Sequence, residues 1–207
     1  MDIQYNGGNC VRITTKKANV IIDDNLSELG LKPVVKDTDT ALSTVVDVLA
    51  AKAKLNINQP GEYEVGDTSI VGIPAHLYND EGKALNGTIF KLEAEDVKVA
   101  VIGNSSADLT DSQLEALGEI DVLIIPVGGK STLSGAEALK IVKKIEPYVV
   151  IPTHYADKTT KYKEPQASLD EALKELAMEP TETVQKLKLK ASNFNEGDAI
   201  KLIVLES

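Results

Sequence analysis

Near residue 105 the chain changes its hydrophobic rhythm, and that change limits the architectures open to it more than any single residue does. Before it, short segments rich in β-branched residues follow one another, separated by glycine or Asx turns: 11–15, 19–23, 55–58, 69–73, 88–92 and 97–102. Branching at Cβ restricts χ1 and suits a pleated, half-buried surface, which makes these segments neighbouring strands of a sheet. One amphipathic stretch, 41–52, interrupts them. Ala, Leu and Val recur there at helical spacing, while Val45, Val46 and Val48 suit a strand, and both assignments stay open.

After residue 105 helices alternate with strands. Three helix starts carry a Ser/Thr followed three residues later by Glu or Gln: Thr110 with Gln113, Ser134 with Glu137 and Ser168 with Glu171. This pairing satisfies two otherwise orphaned amides at a helix N-terminus, and so marks each start. Between them, 121–125 and 148–151 are continuous apolar runs of the kind buried on both faces. Two last strands are expected near 186–191 and 199–205. Strands, then helix-strand units, then strands, with few helices for 207 residues, predict two packed sheets flanked by helices in one domain spanning 1–207.

Charge and cysteine content narrow the function classes. The 32 acidic against 22 basic side chains give a formal charge of −10, which repels nucleic acid and anionic membranes. The expectation is no nucleic-acid partner. Cys10 is the one cysteine and cannot form an internal disulfide, and the stretch from Met1 to Tyr5 lacks the basic start and apolar run of a secretory leader. A cytoplasmic location is expected. The longest apolar runs, such as 122–127, fall far short of the roughly 20 residues of a membrane-spanning helix, so no membrane span is expected.

Several islands occur in one order along the chain. They are Asn6-Gly7-Gly8-Asn9-Cys10, Ile21-Ile22-Asp23, Pro60-Gly61-Glu62-Tyr63-Glu64-Val65, Gly72-Ile73-Pro74, Ile125-Pro126-Val127-Gly128-Gly129, Ile145-Glu146-Pro147 and Pro152-Thr153-His154-Tyr155. Together they resemble the metallo-β-lactamase fold. More narrowly, they are similar to its small single-domain branch of Zn-dependent hydrolases, related to the ascorbate-6-phosphate lactonase type. The resemblance implies an α+β, four-layer αββα sandwich.

It also implies a metal motif, His-x-His-x-Asp-His, on a loop after an early strand. The corresponding stretch here, Leu42-Ser43-Thr44-Val45-Val46-Asp47-Val48-Leu49, has none of those histidines, and Asp47 is its one acid, offset by a residue. The family's glycine-histidine pair after the first strand is Gly7-Gly8, and its bridging aspartate position is Asn104 in Gly103-Asn104. The chain's two histidines, His76 and His154, fall where the resemblance places the third and last histidine ligands.

A two-ion centre concentrates charge that two imidazoles and an amide do not offset. The main expectation is therefore a protein that has lost its metal centre and needs no cofactor, acting as a binding or assembly module. The alternative is a hydrolase with one divalent ion (zinc, iron or manganese) at His76 and His154, a third ligand coming from Asp47, Asp23, Asp80 or Asp157, and a small ester, lactone or phosphoester as substrate. In a third reading the cleft binds a small ligand through hydrogen bonds from Asn104, His76 and His154. The bland reading of both histidines is structural, bonded to backbone or nearby polar groups. Asp47 and Asn104 are the pocket candidates. The expected partner is a small molecule or a protein of unknown identity, and self-association into a homo-oligomer is compatible with every reading.

Other motifs read as structural. Cys10 opens an apolar strand as a small hydrophobe. Gly128-Gly129-Lys130-Ser131 lacks phosphate-loop spacing and suits close packing. Gly103-Asn104-Ser105-Ser106 is a polar turn, Glu62-Tyr63-Glu64 places a hairpin, and 156–166 is a polar surface loop and the candidate mobile segment.

Overall fold

The computed structural model describes residues 1–46, 49–50, 52–78 and 86–207. In chain order the strands and helices are β1 (Asp2–Tyr5), β2 (Val11–Thr14), β3 (Asn19–Ile22), β4 (Thr40–Leu42), β5 (Leu55–Ile57), β6 (Gly61–Val65), β7 (Thr68–Ala75), β8 (Gly87–Ala94), β9 (Val97–Val101), α1 (Asp111–Leu117), β10 (Val122–Pro126), α2 (Gly135–Ile145), β11 (Val149–Thr153), α3 (Leu169–Leu176), β12 (Pro180–Val184), β13 (Leu187–Lys188) and β14 (Lys201–Leu205). They form a sheet ordered β13-β1-β2-β3-β4-β5 and a second ordered β12-β14-β11-β10-β9-β8-β7-β6. The α+β two-sheet architecture is the one expected.

Side-chain period explains how the sheets face each other. In β2 Val11 and Ile13 are buried while Arg12 and Thr14 are half-exposed, and in β3 Val20 and Ile22 join Val11 and Ile13 in the cluster shared with Ile70, Phe90, Leu92, Val99 and Ile124 of the second sheet. Cys10 and Ile21 point the other way, into a small cluster with Leu26, Leu31, Val34 and Val35. Among the described residues the outer layer on this side is a 3-10 turn, Leu26–Leu29, and irregular chain rather than an α-helix. Arg12 holds that layer down, donating from Nη2 to the Val34 carbonyl at 2.8 Å and lying 3.5 Å from Asp39. The helices cover the second sheet, α2 against β10 and α3, and α1 against β7.

All three capping boxes form as the sequence predicts, at Thr110, Ser134 and Ser168. Strands β10 and β11 are buried at every residue. In 41–52, of which residues 47, 48 and 51 lie outside the described residues, the helix option is corrected over the start of the stretch. Its start is strand β4, paired in parallel with both β3 and β5, and Val45 makes an isolated bridge to Gly87. Two parallel neighbours satisfy the backbone of Thr40-Ala41-Leu42, which local helical spacing does not outweigh. Strand β12 has no apolar alternation, being exposed at four of five residues, and owes its form to parallel pairing with β14. The loop 156–166 is not a free surface loop: Thr160 is buried, Lys161 N donates to Leu29 O at 2.9 Å and Tyr162 Oη to Tyr155 O at 3.1 Å. Among the described residues no helix is long and apolar enough to cross a membrane.

Candidate functional site

The loops leaving β1, β3, β4, β7, β9 and β11 are tied together by direct hydrogen bonds. Asp23 follows β3 and accepts the Thr44 amide and the Thr44 hydroxyl, each at 2.7 Å. Thr44 Oγ1 in turn accepts from Asn104 N at 3.2 Å and Asn104 Nδ2 at 3.1 Å. Asn104 Oδ1 accepts from Asn9 Nδ2 at 3.2 Å, and Asn9 Oδ1 accepts from Thr153 Oγ1 at 3.0 Å. One chain of polar groups therefore runs from the first sheet to the end of β11. Gly103 brings Asn104 onto Thr44 with φ +56°, and any Cβ there would overlap the Thr44 side chain. Complete burial pushes the Asp23 carboxyl up to about 6 from 3.8, although both Thr44 bonds favour its charged form.

His76 lies just past β7. Its carbonyl accepts from Ser106 N at 2.8 Å, and Tyr78 N donates to Asn104 O at 2.8 Å, which fastens this segment to the Asn104 turn. His154 caps β11 with φ +53°, and its amide donates to Gly8 O at 2.7 Å. Non-glycine residues rarely adopt that backbone, and strained conformations of this kind concentrate at functional positions. Burial pushes the imidazole down to about 4, partly opposed by its own carbonyl and by Gln166, so the ring is neutral near pH 7. Its Nδ1 is buried without a hydrogen-bond partner. The Tyr162 ring packs against it at 4.7 Å between centroids. A cavity of about 220 Å³ opens here, lined by His154, Tyr162, Leu29, Ser131, Lys163 and two glutamates, Glu28 and Glu164.

The structure thus joins Asn104 to the loops carrying both histidines. Asp47 and Asp80 lie outside the described residues. Two other candidate third ligands are occupied. Asp23 has both oxygens on Thr44, and Asp157 accepts from Thr159 and Thr160 in its own turn. Among the described residues no group of three or more His, Cys, Asp or Glu could hold a metal ion. The candidate third ligands among the described residues are therefore occupied, and Glu28 and Glu164 line the His154 cavity without joining a group of three, an incomplete fit to a divalent ion. Cys10 is fully buried, with its thiol pushed up by burial and by Asp24 and Asp23, which removes it as a nucleophile.

Sequence reasoning missed Thr44, Thr153, Tyr162 and Gln166. Thr44 and Thr153 sit beside positions the resemblance singled out, and a hydroxyl in an otherwise apolar run was the available signal. Tyr162 and Gln166 reach the site through the fold of 156–166, for which local sequence carries no signal.

Two packed sheets, helices over the second of them and a site built from strand-end loops fit the metallo-β-lactamase fold. Residues 2–154 match the family model described as the beta-lactamase superfamily domain, and the chain belongs to that family. A UPF0173 metal-dependent hydrolase of Thermococcus onnurineus is 33% identical over 99 residues, 46% of this chain and 44% of the relative, so the match spans less than half the relative's length. A UPF0173 protein of Pyrococcus abyssi is 24% identical over 184 residues, covering 75% of this chain and 83% of the relative. Among solved structures, one from Thermotoga maritima, provisionally named a Zn-dependent hydrolase of the metallo-beta-lactamase superfamily, is 26% identical with a TM-score of 0.77, covering 99% of this chain and 97% of that one.

These names correct the expectation that no cofactor is involved. Relatives called metal-dependent hydrolases imply a divalent metal for the family, and absence of the His-x-His-x-Asp-His motif is not sufficient ground to discard it. They equally favour the hydrolase reading over that of a non-catalytic module.

Proposed function

We propose that this chain is a hydrolase using one divalent ion in a reduced form of the family's site, with His76 and His154 as its histidine positions and a small ester, lactone or phosphoester as substrate. The observation that carries the reading is the hydrogen-bonded convergence of the His76, Asn104 and His154 loops at one end of the sandwich, next to a cavity. Its volume of about 220 Å³ lies below the roughly 300 Å³ at which drug-sized pockets begin, which supports a substrate of few heavy atoms. A bound divalent ion would polarise a carbonyl or phosphoryl oxygen and acidify a water.

The chain's own contributions are separate. His154 is held neutral by burial, which keeps a lone pair on the ring at ordinary pH. The Asp23-Thr44-Asn104-Asn9-Thr153 chain fixes the loops so that they need no reorganisation when substrate enters. The third donor is sought at Asp47 and Asp80. The test is a panel of small esters, lactones and phosphoesters assayed before and after chelation, with zinc, iron or manganese added back. Hydrolysis abolished by chelator and by His154→Ala, and restored to the wild type by metal, is expected. Turnover that neither treatment changes would reject the proposal.

A further inference from the structure

His154 Nδ1 and Gln166 Oε1 are both buried, and neither bonds to any other group. The coincidence is informative because the amide's other end is already assigned. Gln166 Nε2 donates to Glu164 O at 2.9 Å and lies 3.4 Å from Ser131 Oγ. The amide orientation is thereby set, and Oε1, which can only accept, faces the other way. Backbone bonds hold Gln166 beside the histidine. Ala167 N donates to Gly128 O and Ala156 N to Ala167 O, each at 2.8 Å. A Cβ on Gly128 would meet both His154 O and Gln166 Oε1, which locates the two oxygens on the same side of the glycine. The Gln166 side chain favours the protonated imidazole, as an acceptor against the ring does.

We propose that Gln166 is a positioning residue: its Oε1 accepts the Nδ1 proton of His154, fixing the Nδ1–H tautomer and leaving Nε2 as the ring's lone-pair donor. The opposite tautomer would set two acceptors against each other in a buried space, where an unmade hydrogen bond is costly. The left-handed backbone of His154, its amide bond to Gly8 and the Tyr162 ring fix where the imidazole sits. Gln166 then decides which nitrogen can act. The functional consequence rests on the hydrolase reading given above, in which the lone pair of His154 contacts an ion or substrate; the tautomer does not rest on it.

With two histidines in the chain, long-range proton-nitrogen correlation spectra of uniformly 15N-labelled protein at pH 7 resolve both rings, and a His76→Gln sample assigns them. The expected result for His154 is a protonated Nδ1 and an unprotonated Nε2. Gln166→Met, similar in shape without the acceptor, should convert His154 to the Nε2–H form, and Gln166→Glu, which keeps an acceptor, should retain Nδ1–H. A wild-type spectrum with Nε2–H overturns the proposal and needs no variant to fold. An unchanged Nδ1–H signature in Gln166→Met also overturns it. A protein that shows the expected tautomers but hydrolyses nothing leaves this assignment standing and rejects the hydrolase reading alone.

Discussion

The two halves of the candidate site differ in how completely their polar groups are satisfied. Around Asp23, Thr44, Asn104, Asn9 and Thr153 one hydrogen bond leads to the next across both sheets. Around His154, two buried polar atoms, His154 Nδ1 and Gln166 Oε1, bond to no other group, and a cavity opens. Burial disfavours the charged form of a titratable group in each half, raising Asp23 to about 6 and lowering His154 to about 4. A saturated network rigidifies, whereas a cavity beside a buried imidazole is where binding and chemistry are found. The first half is architecture and the second is where a ligand would be engaged.

The largest way to break the contrast is Gly128→Ala. The added methyl overlaps the His154 carbonyl, which is backbone and cannot rotate away. A loss of about 4 kcal/mol, with loss of the His154 pocket, is expected by urea unfolding.

Acid separates the halves by sign. Asp23 holds its proton more tightly folded than unfolded, so its contribution is greatest below pH 3.8 and is lost as pH rises toward about 6. His154 holds its proton less tightly folded, so its contribution is complete above pH 6.5 and is lost as pH falls toward about 4. Each spans about 3 kcal/mol, and in the wild type they oppose one another. Relative to wild type, Asp23→Asn should become about 2 kcal/mol more acid-sensitive between pH 6.5 and 4, and His154→Gln less so by a similar amount. Parallel unfolding curves at pH 7, 5 and 4 measure this. Identical pH slopes for all three proteins would contradict it.

Thr44→Val is smaller. It strips Asp23 Oδ2 of its hydroxyl donor and Asn104 of an acceptor, with an expected loss of about 2 kcal/mol and a further rise of the Asp23 pKa. Ser168→Ala removes one helix cap beside the Ala156–Ser168 bridge and should cost about 1 kcal/mol by urea unfolding.

What was legible in the sequence was what local chemistry dictates. The three capping boxes mark helix starts because a short side chain and a Glu or Gln three residues on close a ring within one turn. The fully apolar runs became buried parallel strands for an equally local reason. Strand β4 was half-hidden, since its form depends on β3 and β5 on either side. At the site, Asn104 and both histidines were named from the resemblance, but the saturation of Asp23 by Thr44 spans 21 residues and the Asn9–Thr153 bond spans 144. Such pairings are properties of the fold and leave no periodic trace in the chain. For the same reason Gln166 was invisible, although it sits twelve positions from His154.

The most direct test of the central claim is metal content, measured by plasma mass spectrometry on untagged protein after loading with zinc, iron and manganese in turn and washing. About one equivalent of one metal retained by the wild type, and lost in both His76→Ala and His154→Ala, is the predicted result. Equal metal content in wild type and both variants would contradict a reduced site at these histidines.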